Sequence, residues 1–226
     1  MNTTGISFTL RALAHLLRYP DAAMRAHLPD IHTALNAEDA IGRVRRAELD
    51  ALMDRLLAEG LDAETVYVDL FDRGRGTALH LFEHVHGDSR DRGPAMVDLV
   101  RTYEAAGLLL DPAELPDHLT VLLEYASTQP VREARAFIGE FAHILQSIVA
   151  ALQRRGSDHA AVLAAVLDLA GQPLAPGAAV PEEEALDASW EEPAAFGGCS
   201  SQGQAAPGTP QPVHLMRRQP PSGAAR

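Results

Sequence analysis

An all-α fold, a bundle of about eight to ten helices, is what this sequence predicts, and three observations carry the prediction. Apolar residues recur at steps of three and four along most of the first 171 residues, the spacing that gathers them on one helical face. No stretch alternates apolar and polar residues as a half-buried strand does. The Asn-Gly and Asp-Gly turns that close tight hairpins are missing, and no internal repeat is visible.

The elements follow in order. Ile6, Leu10, Leu13, Ala14 and Leu17 share a face that Thr3 or Thr4 can cap. Tyr19-Pro20 ends that helix, because the residue before a proline is pushed out of helical geometry. A second stretch runs through Met24, Leu28, Ile31 and Leu35, with Pro29 as a break. A third uses Leu49, Leu52, Met53, Leu56 and Leu57, and Gly60 stands where a left-handed terminal residue is wanted. Asp62 opens a short helix through Val66, Tyr67, Leu70 and Phe71, broken by Gly74 and Gly76. Leu79, Phe82 and Val85 form another short face, ended by Gly87. Ser89 or Asp91 can cap a helix through Met96, Leu99, Val100 and Tyr103, stopped at Gly107. Pro116 fits the first turn of the next, with Leu119, Leu122, Leu123 and Tyr125 on its face. The longest helix is expected from about Val131 to Arg155, its buried stripe marked by Phe137, Phe141, Ile144, Leu145, Ile148 and Leu152. Ser157 caps a last helix through Val162, Leu163, Val166, Leu167 and Leu169, closed by Gly171.

Residues 172–226 have a different composition. They hold nine of the fifteen prolines and few aliphatic side chains, too little apolar surface to offset the entropy of ordering. The expected organisation is therefore a helical domain over 1–171 and a disordered tail over 172–226. The acidic run Glu182 to Glu192 and the isolated Trp190 and Phe196 suit a solubilising tail or a short linear motif.

Composition narrows the function. Apolar residues make up 46% and charged residues 22%, ordinary for a globular protein that needs no disulfide or metal staple. The single cysteine, Cys199, allows no intramolecular disulfide and no cysteine-based zinc site, and it points to a reducing compartment. The net charge is -12, and all nineteen basic residues are arginine. Such a surface repels nucleic acid and anionic lipid and favours basic partners. The opening residues carry no cationic segment, and no apolar run reaches membrane-spanning length, so a cytoplasmic protein with no membrane insertion is expected.

Two patches are dense in polar chemistry. In the first, His80-Leu81-Phe82-Glu83-His84 fits the H-x-x-E-H pattern of inverted zinc peptidases. Two histidines four apart on a helix share a face and could hold one zinc, with Glu83 activating its water. The pattern has only three fixed positions in a chain with ten histidines, and no downstream helix offers a third ligand. Packing between helices, or lining a groove, is the favoured reading; a zinc hydrolase is the alternative. The second patch is Glu114-Leu115-Pro116-Asp117-His118-Leu119, followed by Leu123-Glu124-Tyr125. Its acidic residues suit a helix start, or a groove where carboxylates meet a peptide's arginines. No Ser-His-Asp set, P-loop or dinucleotide fingerprint is present, so catalysis is not expected and no cofactor is called for.

Together these patches, with Leu16-Leu17-Arg18-Tyr19-Pro20, resemble the assembly chaperone, or delta subunit, of respiratory nitrate reductases, a group similar to the wider helical redox-enzyme maturation chaperones. The resemblance covers roughly residues 7 to 170 and is most specific from Tyr67 to Gly93 and at the E-x-P-D-H stretch, Glu114 to His118. It implies a protein that binds the reductase's catalytic subunit through that subunit's N-terminal peptide. The chaperone would hold its client open for molybdenum cofactor insertion, delay membrane docking and leave the finished enzyme. It implies Tyr67, Phe71, Asp117, His118 and Glu124 as groove residues. Asp72, Glu114 and Pro116 join them in the expected peptide site, and the His80–Gly93 segment, with His80, Phe82, Glu83, His84, His86, Asp88 and Arg90, would shape the interaction surface or position a hinge loop beside it. A monomer or weak homodimer is expected; a permanent structural subunit is the remaining alternative.

Overall fold

One helix is buried on almost every face and a second on most of its surface, and the others pack around them. In α1 (Ser7–Leu16) the buried residues are Thr9, Leu10, Ala12, Leu13, Ala14 and Leu16; in α11 (Ala160–Ala170) everything from Ala160 to Leu169 is buried except Asp168. Helix α11, apolar almost all round, has no broad solvent face and belongs in the middle, while α1 keeps Phe8 and Arg11 exposed along one edge. The computed structural model describes residues 5–87, 89–172 and 174. Between α1 and α11 run α2 (Ala22–Ala26), α3 (Leu28–Glu38), α4 (Arg43–Glu59), α5 (Leu61–Tyr67), α6 (Leu81–His86), α7 (Arg92–Ala105), α8 (Leu119–Thr128), α9 (Val131–Glu140) and α10 (Ala142–Arg154). The all-α expectation holds: the described residues contain eleven α-helices and no strand. Helices α3 and α8 pack on α1, while α4, α9 and α10 pack on α11.

Several elements differ from expectation. Val131 to Arg155 is not one helix. It breaks at Phe141 into α9 and α10, bent by 67°. Gly139 weakens the helix just before the break, and the Phe141 N–H turns back to Ile138 O in a tighter bond. The bend lets Phe137 and Phe141 meet edge to face at 5.4 Å while α10 turns its stripe onto α11. Pro29 does not break a helix. It sits in the first turn of α3, where its missing N–H costs nothing. The proposed caps Thr3 and Thr4 lie outside the described residues. Helix α1 is capped instead from α3, where the Glu38 carboxylate accepts the N–H groups of Phe8 (3.2 Å) and Thr9 (2.7 Å). The tail reading, with Trp190 and Phe196, also lies outside the described residues.

The helix through Tyr67 and Phe71 continues from α5 into a π-helical turn, Val68–Asp72, closed by Arg73 N–H to Val68 O at 3.1 Å. The wider turn sends both Leu70 and Phe71 inward. Gly74 then passes so close to its neighbours that a Cβ would lie 2.5 Å from Leu70 O and 2.6 Å from Arg155 Nη1. The expected stop at Gly74 is therefore a matter of space. No single described helix is long and apolar enough to cross a membrane; the bent pair α9–α10 passes by composition only, and its apolar face is core.

Candidate functional site

The second dense patch is built from two successive turns. Asp111-Pro112 opens the first, with the Asp111 carboxylate accepting Ala113 N–H and Glu114 N–H returning to Asp111 O. Leu115-Pro116 opens the second, closed by His118 N–H to Leu115 O at 3.1 Å. Pro116 is thus a turn residue, and α8 begins three residues later at Leu119. The helix starts there because His118 is held extended. It pairs with His80 in an isolated antiparallel bridge, in which Leu81 N–H reaches Asp117 O and Leu119 N–H reaches Leu79 O.

That bridge, between residues 38 apart in sequence, joins the two patches around one carboxylate. Asp117 is fully buried. It accepts the Phe82 N–H at 3.2 Å and faces His80 Nδ1 at 3.4 Å and Arg92 Nη2 at 3.5 Å. Burial by itself would raise its pKa. The His80 hydrogen bond and charge, the Phe82 N–H and the Arg92 charge reverse this and hold it below the ordinary carboxylate value. His80 is raised above its ordinary value, chiefly by the hydrogen bond to Asp117, against the opposing effect of burial. The His118 ring packs on His80 at 4.8 Å, and its Nδ1 meets Thr120 Oγ1 at 2.6 Å. Burial pushes His118 down to about 4, so it is neutral at pH 7.

The zinc pattern falls apart in this geometry. His80 is not in the helix; it precedes α6 and turns toward Asp117. The His84 ring instead contacts Ala78 O at 2.9 Å, and Glu83 pairs with Arg92. Among the described residues no group of three or more His, Cys, Asp or Glu is placed to hold a metal ion.

Glu114 and Glu124 lie elsewhere, on a groove of about 430 Å³. One wall is α8, through Thr120, Val121, Glu124 and Tyr125; the other is the segment Leu108-Leu109-Leu110-Asp111 with Glu114. Arg11 and Arg18 of the α1 region sit at its rim, where Arg18 pairs with Glu124 at 2.9 Å. Tyr103 reaches it from α7, 4.9 Å from the Tyr125 ring, and its hydroxyl donates to Pro116 O at 2.7 Å. Leu109 is 89% exposed. Three consecutive leucines after the Gly107 stop are a readable sign, since exposed apolar runs are rare without a partner. That run was not among the predicted site residues, and neither were Arg92, Tyr103 and Thr120.

The remaining predicted site residues scatter. Tyr67 and Phe71 are core: the Tyr67 hydroxyl donates to Leu17 O at 2.8 Å, and the two rings form a cluster with Tyr19 and His159. They do not line this groove, and Asp117 does not present its carboxylate to it. Asp72 and Arg90 are exposed, and His86 packs on Phe82 at 5.6 Å. Asp88 lies outside the described residues.

Comparison with known proteins places the chain. The family model described as "Nitrate reductase delta subunit" matches residues 18–165. This chain belongs to that family. It is 42% identical over 190 residues to the nitrate reductase molybdenum cofactor assembly chaperone NarJ of Escherichia coli K12, covering 80% of each chain. It is 38% identical over 195 residues to the probable chaperone NarW of the same strain, covering 81% of this chain and 80% of NarW. The probable NarJ of Bacillus subtilis 168 is 31% identical over 168 residues, 74% of this chain and 90% of the relative. The delta-subunit family is one of cofactor assembly chaperones and not of catalytic enzymes.

Proposed function

We propose that the chain is a cytoplasmic chaperone that binds the catalytic subunit of a respiratory nitrate reductase through its N-terminal segment. It holds that subunit ready for molybdenum cofactor insertion and delays its docking on the membrane. The groove along α8 supports this reading best. A half-open trough with an 89% exposed leucine, two tyrosines and three carboxylates suits an amphipathic, cationic helix. Apolar anchors of the peptide would supply most of the affinity, while Asp111, Glu114 and Glu124 would supply rate and register. The Arg18 pair keeps Glu124 oriented, and a peptide arginine can exchange for it without leaving either charge buried.

Titration of the catalytic subunit's N-terminal peptide into the full chain tests this. Leu109→Asp is expected to weaken binding by about tenfold or more, from loss of apolar surface that the bound peptide would cover. Replacing the peptide's arginines should weaken binding chiefly at low salt. Undiminished affinity in Leu109→Asp, Tyr125→Ala and Glu124→Gln alike would move the binding site off this groove.

A further inference from the structure

The buried Asp117 carboxylate does not line the groove, yet its partners explain how the groove wall is held. Helix α7 has fourteen residues, about 20 Å of helix, of which only Leu99 and Tyr103 are buried. Apolar packing of that extent is a weak anchor. What fixes α7 is polar and lies at its two ends. Arg92, its first residue, reaches the Asp117 carboxylate and Glu83, while Tyr103, on its last turn, donates to Pro116 O. Both ends are therefore tied to neighbouring residues of one turn, Pro116-Asp117. The same carboxylate takes the Phe82 N–H of α6 and faces His80 before it. The segment that follows α7 supplies Leu108, Leu109 and Leu110 to the groove, and Tyr103 itself lines it.

We infer that Asp117 is a positioning residue: it clamps the α6–α7 arm to the start of α8 and so sets the leucine wall of the peptide groove without contacting the peptide. This rests on the groove proposed above for peptide binding. The arrangement separates the two jobs of the E-x-P-D-H stretch. Glu114 is exposed and faces the groove, whereas Asp117, three residues on, is enclosed and faces the arm. A carboxylate already engaged by an N–H, a histidine and an arginine has little left to offer an incoming arginine.

Hydrogen exchange of the free full-length protein, paired with peptide binding kinetics, tests the inference. Asp117→Asn keeps size and an acceptor for Phe82 N–H but removes the charge facing His80 and Arg92. Amides of α6 and the first half of α7 should exchange roughly tenfold faster or more, as expected for loss of charge-assisted hydrogen bonds, while α1, α10 and α11 stay protected. Peptide dissociation should quicken by a similar factor with association little changed. Arg92→Met and Tyr103→Phe, which release one end of α7 each, should give smaller shifts of the same pattern; they also stand in if Asp117→Asn does not fold. Unchanged exchange in the arm for all variants that fold overturns the clamp. Faster arm exchange with unchanged peptide dissociation overturns its link to the groove. If the unsubstituted protein binds no peptide, the groove reading fails, and with it the link, while exchange still decides the clamp.

Discussion

In α11 nine of eleven residues are buried hydrophobics; in α7 two of fourteen are, and the two helices are held by different physics. The interior built on α1 and α11 gains from burial, which is non-directional and summed over many side chains. The α6–α7 arm depends on a few directional contacts converging on Pro116 and Asp117. Stability is therefore uneven along the chain, and the low end of the range is where a binding surface can adjust. The leucine wall hangs from that low end.

The largest expected effect tests the interior. Leu163→Ala removes a fully buried side chain and should cost about 2–5 kcal/mol, read from a denaturant midpoint, whereas Leu99→Ala in the arm should cost less. Equal losses at the two sites would break the contrast.

Acid should weaken the interior next. His159 is buried against Phe71 and Tyr67, and burial, aided by the Arg55 charge, lowers its pKa to about 4. The unfolded chain binds that proton from about pH 6.5 downward and the folded chain does not. Stability from this group is complete above pH 6.5 and falls by about 1.4 kcal/mol per pH unit as pH drops toward 4. His159→Gln should flatten that slope in denaturation measured between pH 7 and 4.5; an unchanged slope would place the acid sensitivity elsewhere.

The arm should respond with the opposite sign, and more weakly. His80 is raised by Asp117, so its contribution is complete below the unfolded histidine value and is lost as pH rises through its higher folded value. Local exchange in α6 should therefore increase, beyond its intrinsic rise with pH, as pH climbs through the folded His80 value, under the combined influence of Asp117, Glu83 and Arg92. Asp117→Asn should abolish that response. Smallest of all is the stability effect of Leu109→Asp, expected within about 0.5 kcal/mol because the side chain is already in water. A large destabilisation there would mean the leucine run is structural.

The fold class was readable because helix periodicity is a local signal, and the stripes of α1, α8, α10 and α11 repeat it for several turns. The break at Phe141 was not, since no proline marks it and the apolar stripe continues across the bend. Within the site, the two polar patches stood out by composition, and Glu114 and Glu124 do line the groove. Their neighbours Asp117 and His118 looked equally available in sequence, yet one is enclosed and the other is kept neutral.

From sequence alone came most of the helices, the acidic charge, the family resemblance and the two dense polar stretches. Periodicity, charge and motif are properties of residues close together in the chain, so no packing is needed to read them. Tertiary structure alone decided that His80 meets Asp117, that Glu38 caps α1, and that Asp117 is enclosed while Leu109 stays in water. Each of those outcomes depends on which segments distant in sequence become neighbours, and a side chain's burial and protonation follow from its neighbours.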